Sequence, residues 1–141
     1  MSITFDHGED VEFPLESKSK TSSWITFCAK LHSYEIQSLD YFFCTDKFLL
    51  NINKKHLAHD FYTDIITFPY SEQNKPIHAE VFISVDRVKE NAESFKTPFQ
   101  SELHRVIIHG LLHLVGYSDK SEEEKKTMRA AENNMLKSLK L

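Results

Sequence analysis

Glycine and proline are scarce in this chain of 141 residues, with three and four copies, and tryptophan occurs once. So few chain-breaking residues exclude collagen-like and low-complexity proteins. No apolar run approaches the length that crosses a bilayer, so we expect no membrane-spanning helix. Basic residues are not in excess either, since 17 Lys and Arg against 21 Asp and Glu leave a net charge of −4. The balance is not typical of a nucleic-acid-binding domain, although it is compatible with a local basic groove.

Cysteine is also rare, and the two copies lack the spacing of a paired metal or redox motif. Cys28 and Cys44 lie in apolar surroundings, so we expect reduced, buried thiols, with a disulfide as the less favoured alternative. The segment from Met1 to His7 shows neither the basic nor the apolar part of a secretory signal. We therefore expect a cytoplasmic protein. Its 40% hydrophobic residues are enough for the core of one domain.

The hydrophobic pattern predicts an α+β fold with mixed α/β layers, in which a small mixed sheet of about four strands packs against helices. Runs rich in β-branched and aromatic residues predict strands at 39–45, 63–68 and 77–85. The short polar loop between the last two indicates an antiparallel hairpin. Apolar residues at helical spacing predict helices at about 24–31, 48–55, 86–95, 98–115 and 121–139. The polar segment 17–23 is expected to be a loop before the first helix.

Three of these helices have recognisable start signals. Asp86 is expected to cap the third helix through its side-chain oxygen. The other two carry the pattern of a capping box, formed by Thr97, Pro98 and Gln100 in one helix and by Ser121 and Glu124 in the other.

The helix predicted at 98–115 is apolar almost all round, so we expect it to be central and buried. Its exceptions fall on or near one stripe, formed by Glu102, Arg105, His109 and His113. Residues four apart share one helix face, so the imidazoles of His109 and His113 can reach one point. The alternative interpretation is a pair of core histidines at chance spacing.

A third candidate ligand follows this helix. Gly116 comes three residues after His113, where a helix would stop and the chain can turn left-handed. Asp119 comes three residues later, placed to return a carboxylate toward the two rings; the alternative is a helix-start residue ahead of Ser121. Two histidines and a carboxylate leave one metal position open, as in catalytic centres. The sequence therefore predicts a metal site of His109, His113 and Asp119, on a central helix followed by a glycine turn.

One position departs from a known hydrolase pattern. The spacing matches the H-E-x-x-H-x-x-G-x-x-H zinc peptidases, but Gly110 replaces the glutamate that serves those enzymes as general base. The replacement argues against peptide hydrolysis by that route. We also expect it to leave open space beside the metal for a bulky substrate.

The segment 109–117, His-Gly-Leu-Leu-His-Leu-Val-Gly-Tyr, resembles the signature of the YbeY family of bacterial rRNA maturation endoribonucleases. Further segments resemble that family in the same order, from about residue 39 to the C-terminal end. They are Leu50-Asn51, the run Thr-Asp-Ile-Ile-Thr-Phe-Pro at 63–69, and the run Ala-Glu-Val-Phe-Ile-Ser at 79–84.

The resemblance implies a single metallohydrolase domain over residues 1–141. It implies a metal-dependent, single-strand-specific endoribonuclease that acts in 16S rRNA maturation and ribosome quality control. Zn²⁺ would be held by the two helical histidines and the residue at the third position. The implied partners are ribosomal RNA, the small ribosomal subunit and assembly proteins. Two alternatives are a non-catalytic assembly factor braced by its metal and, less favoured, a metallopeptidase-like hydrolase.

Three positions depart from the family pattern. Asp119 stands where the family usually has histidine; carboxylate is an accepted zinc ligand, but a harder one that favours other divalent metals more than a three-histidine site would. The family's arginine after Leu-Asn has no clean counterpart. We expect Lys54, Lys55 or His56 to supply its positive charge, and Lys55 is our candidate for the phosphate contact, although lysine lacks the bidentate grip of arginine. Glu80 stands for an aspartate and is either an outer partner of the metal ligands or an exposed strand residue.

The scissile phosphate needs cations around the metal. We expect Lys55 and Arg105 to contact it, with a salt bridge to Glu102 as the alternative for Arg105. The basic residues of the last helix are expected to be a solvated face, with RNA contact as the less favoured alternative; they are Lys125, Lys126 and Arg129. No conventional general base stands out, and the nucleophile is either water or the RNA 2′-hydroxyl.

Overall fold

The computed structural model describes residues 2–57 and 62–139. Its elements, in chain order, are β1 Ser2–His7, α1 Lys18–Leu31, β2 Ile36–Cys44, α2 Asp46–Leu57, β3 Ile65–Pro69, β4 Ile77–Ser84, α3 Val85–Phe95, α4 Phe99–Leu114 and α5 Glu122–Lys137. The four strands form one mixed sheet in the order β1-β2-β4-β3. β1 and β4 run parallel to β2, and β3 is antiparallel to β4. The α+β prediction is confirmed, including the hairpin of the last two strands.

The main core lies between the sheet and α4. Alternate residues of the two central strands face it, because successive strand residues point to opposite faces. Leu39, Tyr41 and Phe43 in β2 and Ala79, Val81 and Ile83 in β4 are buried there. From α4 the core receives Leu103, Ile107 and Leu111. Since α4 also contacts α3 and α5, it is the central helix that the sequence predicts.

A smaller cluster packs α2 against the opposite face of the sheet. Leu49 of α2 is buried there beside Cys44 and Ile66. Both cysteines are buried and free, as expected. None of the helices in the described ranges is long and apolar enough to cross a membrane.

Several predicted starts were wrong. Helix α1 begins at Lys18, inside the predicted loop 17–23, because the Ser17 side chain accepts a hydrogen bond from Lys20 N and caps it. Strand β1 was not predicted. It pairs with β2, which lies far from it in the sequence, so no turn between adjacent strands indicates the pairing. Ser84, not Asp86, caps α3, and its Oγ accepts from Arg87 N.

The capping-box prediction failed at α4 and was confirmed at α5. The N-cap of α4 is Pro98, without a side-chain cap. Gln100 Nε2 instead donates to the Pro14 carbonyl at 2.6 Å. The side chain that the local pattern predicts to cap the helix therefore forms a tertiary hydrogen bond. At α5 the reciprocal bonds of Ser121 and Glu124 are both present.

Candidate metal centre

The last two turns of α4 bring His109 and His113 together. Their Nε2 atoms are 3.0 Å apart, and both side chains are partly buried. The helix places them on one face because they are four residues apart. The sequence prediction that both rings reach one point is therefore realised in the fold.

A glycine turn returns the chain to this point. Gly116 has a φ of 109°, a left-handed conformation that side chains rarely adopt. Its N–H donates to the His113 carbonyl, and Tyr117 N donates to the Leu112 carbonyl, which closes the end of α4. The turn leaves Asp119 Oδ2 3.4 Å from His109 Nε2 and 3.5 Å from His113 Nε2.

Each histidine is oriented through its other ring nitrogen. His109 Nδ1 donates to Glu132 Oε2 at 2.6 Å, and His113 Nδ1 donates to the Tyr117 carbonyl at 3.1 Å. With both Nδ1 atoms acting as donors, neutral rings direct two Nε2 lone pairs and the Asp119 carboxylate toward one point. Three acceptors that face one another in this way suit a cation, and the donor set fits a divalent metal.

Glu132 belongs to an ionic network behind His109. It accepts from Arg105 Nη1 at 2.9 Å, and Arg129 Nη1 lies 3.7 Å away. Burial favours a higher pKa for Glu132, but the hydrogen bonds from His109 and Arg105 outweigh it and lower that pKa. Conversely, burial favours a lower pKa for His109, but Glu132 outweighs it and the His109 pKa is raised. The pair therefore stabilises the charged carboxylate that holds the ring.

A cavity of about 310 Å³ opens beside the metal-binding group. Acidic, basic and apolar side chains line it together; they are Asp64, Arg105, Val106, His109, Asp119, Lys125, Met128, Arg129 and Glu132. The mixture of a candidate metal centre with three cationic side chains suits an anionic substrate.

Comparison with known proteins assigns the family. The family model described as Endoribonuclease YbeY matches residues 4–140. The chain belongs to the YbeY family. A relative named Endoribonuclease YbeY from Cytophaga hutchinsonii is 47% identical over 128 residues, 91% of this chain and 90% of the relative. A second relative of that name, from Bacteroides fragilis, is 45% identical over 136 residues and 96% of each chain.

The fold also matches a solved structure. The solution structure of TM1509 from Thermotoga maritima has a TM-score of 0.69, with 21% sequence identity, and the match covers 98% of this chain and 89% of that one. The YbeY resemblance noted from residue 39 onward is thus confirmed, and the family match extends it to strand β1.

Glycine at position 110 of this YbeY family member has a different structural role from the one we expected. A Cβ atom at Gly110 would lie 2.8 Å from Ile65 Cδ1, 3.5 Å from Thr67 Cγ2 and 3.6 Å from Val81 Cγ1. The position faces the sheet rather than the metal-binding group, so the predicted open space beside the metal is absent there. Glycine lets the central helix approach β3 and β4 closely.

The two cations predicted for the phosphate differ in position. Arg105 lines the cavity, but it pairs with Glu132 and with Asn133 Oδ1 at 2.8 Å. The alternative partner proposed for it, Glu102, is buried on α4 and does not form this ion pair among the described residues. Lys55 is exposed on α2 and is not one of the described residues that line the cavity.

Four cavity residues were missed or undervalued by the sequence interpretation. Lys125 and Arg129 are more than half exposed, as expected for a solvated face, and both also line the cavity. Glu132 lies 23 residues from His109, a separation that carries no spacing signal. Asp64 lies in a segment that resembles the family, but the sequence interpretation assigned it no role.

Glu80 lies on the face of the sheet away from α4. Its carboxylate accepts a hydrogen bond from Tyr70 Oη at 2.5 Å, so the interpretation as a strand residue applies rather than that of an outer partner of the metal ligands.

Proposed function

We propose that this chain is a metal-dependent endoribonuclease that cleaves single-stranded RNA, acting in 16S rRNA maturation and ribosome quality control. The observation that carries the proposal is the convergence of His109, His113 and Asp119 beside a cavity whose lining includes three cationic side chains. Relatives that are nearly half identical over almost the whole chain bear the name Endoribonuclease YbeY, which supports the same reaction.

The proposed metal is one Zn²⁺ per chain, held by Nε2 of both histidines and by a carboxylate oxygen of Asp119. When bound, the ion would act as a Lewis acid that stabilises negative charge on the phosphate and promotes loss of a proton from the nucleophile. The harder carboxylate ligand leaves other divalent metals open as occupants.

The remaining cavity residues would bind and orient the RNA. Lys125 and Arg129 are more than half exposed, so they can reach phosphate groups without leaving a strong ion pair. Arg105 is fixed by Glu132 and Asn133, and it would present a stationary positive charge beside the scissile phosphate. Lys55 is proposed to contact a phosphate outside the cavity.

The proposed partners are ribosomal RNA, the small ribosomal subunit and its assembly proteins, in the cytoplasm. The alternative that a specific observation favours is a non-catalytic assembly factor. The candidate metal residues close the turn between α4 and α5, so a metal there would also brace the fold.

Cleavage of RNA by metal-loaded, purified protein tests the proposal. Single-stranded and duplex RNA of the same sequence are incubated with the wild type and with His113→Ala. We expect cleavage of the single strand by the wild type, with much less by the variant. No cleavage above the variant would leave the assembly factor, and casein hydrolysis that depends on His109 would revive a peptidase.

A further inference from the structure

Asp64 is fixed at the rim of the cavity by two neighbouring elements. Its backbone carbonyl accepts a hydrogen bond from Ser84 N at 2.9 Å, which anchors it to the end of β4. Its carboxyl Oδ2 accepts from Asn91 Nδ2 of α3 at 3.4 Å. The carboxyl is therefore held by the scaffold and lines the cavity together with His109 and Asp119.

The other two carboxylates of the cavity are engaged. Asp119 belongs to the metal-binding group, and Glu132 is held by His109 and Arg105. Asp64 forms no ion pair with a described side chain, and Asn91 is the described side chain that donates to it. A carboxylate that is positioned, but neither a ligand nor neutralised by a cation, is free to exchange a proton with a substrate.

We infer that Asp64 is the general base of RNA cleavage by this chain, an inference that rests on the proposed function. The attacking hydroxyl, from water or from the ribose, gives its proton to a carboxylate oxygen of Asp64. The electron pair of the broken O–H bond forms the new bond to phosphorus. The bond from phosphorus to the leaving oxygen breaks with its pair, and that oxygen takes a proton from solvent.

The electrostatics of the cavity agree with this role. Burial raises the pKa of Asp64, and a protonated His109 would oppose that shift. A carboxylate with a raised pKa is a stronger base than one in water, which brings it closer to the range in which general bases work. The absence of a glutamate at position 110 is then no obstacle, because the base comes from the strand side of the cavity.

Asp64→Asn tests the inference because it keeps the shape and removes the base. The matched control is Asp40→Asn, which removes the same charge on the far side of the sheet, where Asp40 accepts from Thr4. We expect Asp64→Asn to lower kcat by about 10² to 10⁴-fold. Metal content should stay within twofold of wild type, and so should the affinity of the metal-free protein for single-stranded RNA. Asp40→Asn should retain full kcat.

The pH profile and chemical rescue separate a base from a structural residue. Wild-type kcat should fall as pH drops through the raised pKa of Asp64, and this acidic limb should be missing in Asp64→Asn. In Asp64→Ala, added formate should restore activity in proportion to its concentration. An RNA with a single 2′-deoxy position at the cleaved bond distinguishes the two nucleophiles, because it is cut when water attacks and resists when the ribose hydroxyl attacks. In both cases cleavage must depend on Asp64.

Two results would overturn the inference. One is a kcat within twofold of wild type in both Asp64→Asn and Asp64→Ala. The other is a loss of activity that merely follows a loss of bound metal. Failure of the proposed function looks different, because wild-type protein would then cleave no RNA at all.

Discussion

His109 and Glu132 share a 2.6 Å hydrogen bond that joins α4 to α5. The carboxylate accepts a hydrogen bond from the Nδ1–H of the ring, so it fixes the tautomer and turns Nε2 toward His113 and Asp119. Glu132 is fixed in turn by Arg105. The position of one candidate ligand therefore depends on the packing of a helix that follows it in the chain.

Glu132→Gln should weaken metal binding, because a neutral amide does not raise the basicity of the His109 ring and can satisfy either tautomer of it. We expect about a 10 to 100-fold loss in affinity, measured by competition with a chelating dye. Glu123→Gln is the matched control, since Glu123 is exposed at the start of the same helix. Equal affinities in the wild type and Glu132→Gln would contradict the role assigned to this contact.

Asp119→Ala should lower the metal content of purified protein, because it removes one of three converging donors. Asp119→His should keep the metal and shift the preference toward zinc over manganese, since imidazole is the softer ligand. Metal analysis after dialysis against defined concentrations measures both effects. Equal, stoichiometric metal in the wild type and Asp119→Ala would exclude Asp119 as a ligand.

Gly110→Glu should destabilise the protein rather than create a peptidase. The new side chain would be driven against Ile65 Cδ1, Thr67 Cγ2 and Val81 Cγ1, which are all apolar carbon atoms. We expect a loss of about 3 kcal/mol or more in the free energy of unfolding, measured by urea denaturation.

Gly110→Ala is the control for that substitution. Its nearest neighbour is the terminal methyl group of Ile65, which can shift, and alanine gains helix propensity. We expect a change within about 1 kcal/mol. A stable Gly110→Glu variant that hydrolyses casein would refute the packing explanation and restore the peptidase alternative.

The parts of the site that could be predicted are local in sequence. The spacing of His109 and His113 follows from helix geometry, and Gly116 with Asp119 follows from how helices end. These signals lie within eleven consecutive residues. The metal-binding group can be predicted from the sequence because local backbone geometry alone brings the side chains of His109, His113 and Asp119 together.

The rest of the site arises from contacts between distant segments. Glu132 meets His109 because α5 packs on α4. Asp64 reaches the cavity because it directly precedes β3, the edge strand that packs against α4. No spacing rule links these residues to the motif. The same reason explains the wrong cap at α4, where Gln100 binds the Pro14 carbonyl, 86 residues away in sequence.

Lys125→Gln and Arg129→Gln should each raise KM for RNA and leave kcat nearly unchanged, because both residues line the cavity as exposed cations. Each lost phosphate contact should reduce the slope of log affinity against log salt by about 0.7. Lys126→Gln is the matched control, since Lys126 is exposed on α5 and does not line the described cavity. Lys55→Gln should also reduce the salt slope, because Lys55 is proposed to contact a phosphate. An unchanged salt slope in Lys125→Gln and Arg129→Gln would return them to the solvated-face interpretation.

His104 should make the stability of the fold depend on pH below about 6.5, its ordinary pKa. Burial lowers the pKa of His104 in the folded protein, opposed by the hydrogen bond from its Nδ1 to the Gln100 carbonyl. The unfolded chain therefore binds more protons than the folded one below that pH, so acidification favours unfolding. Urea denaturation at pH 7.5 and at about pH 5.5 should show a smaller pH-dependent loss in His104→Gln than in the wild type. His78→Gln, at an exposed histidine, should retain the wild-type dependence. Parallel losses in the wild type and His104→Gln would show that His104 is not the group responsible.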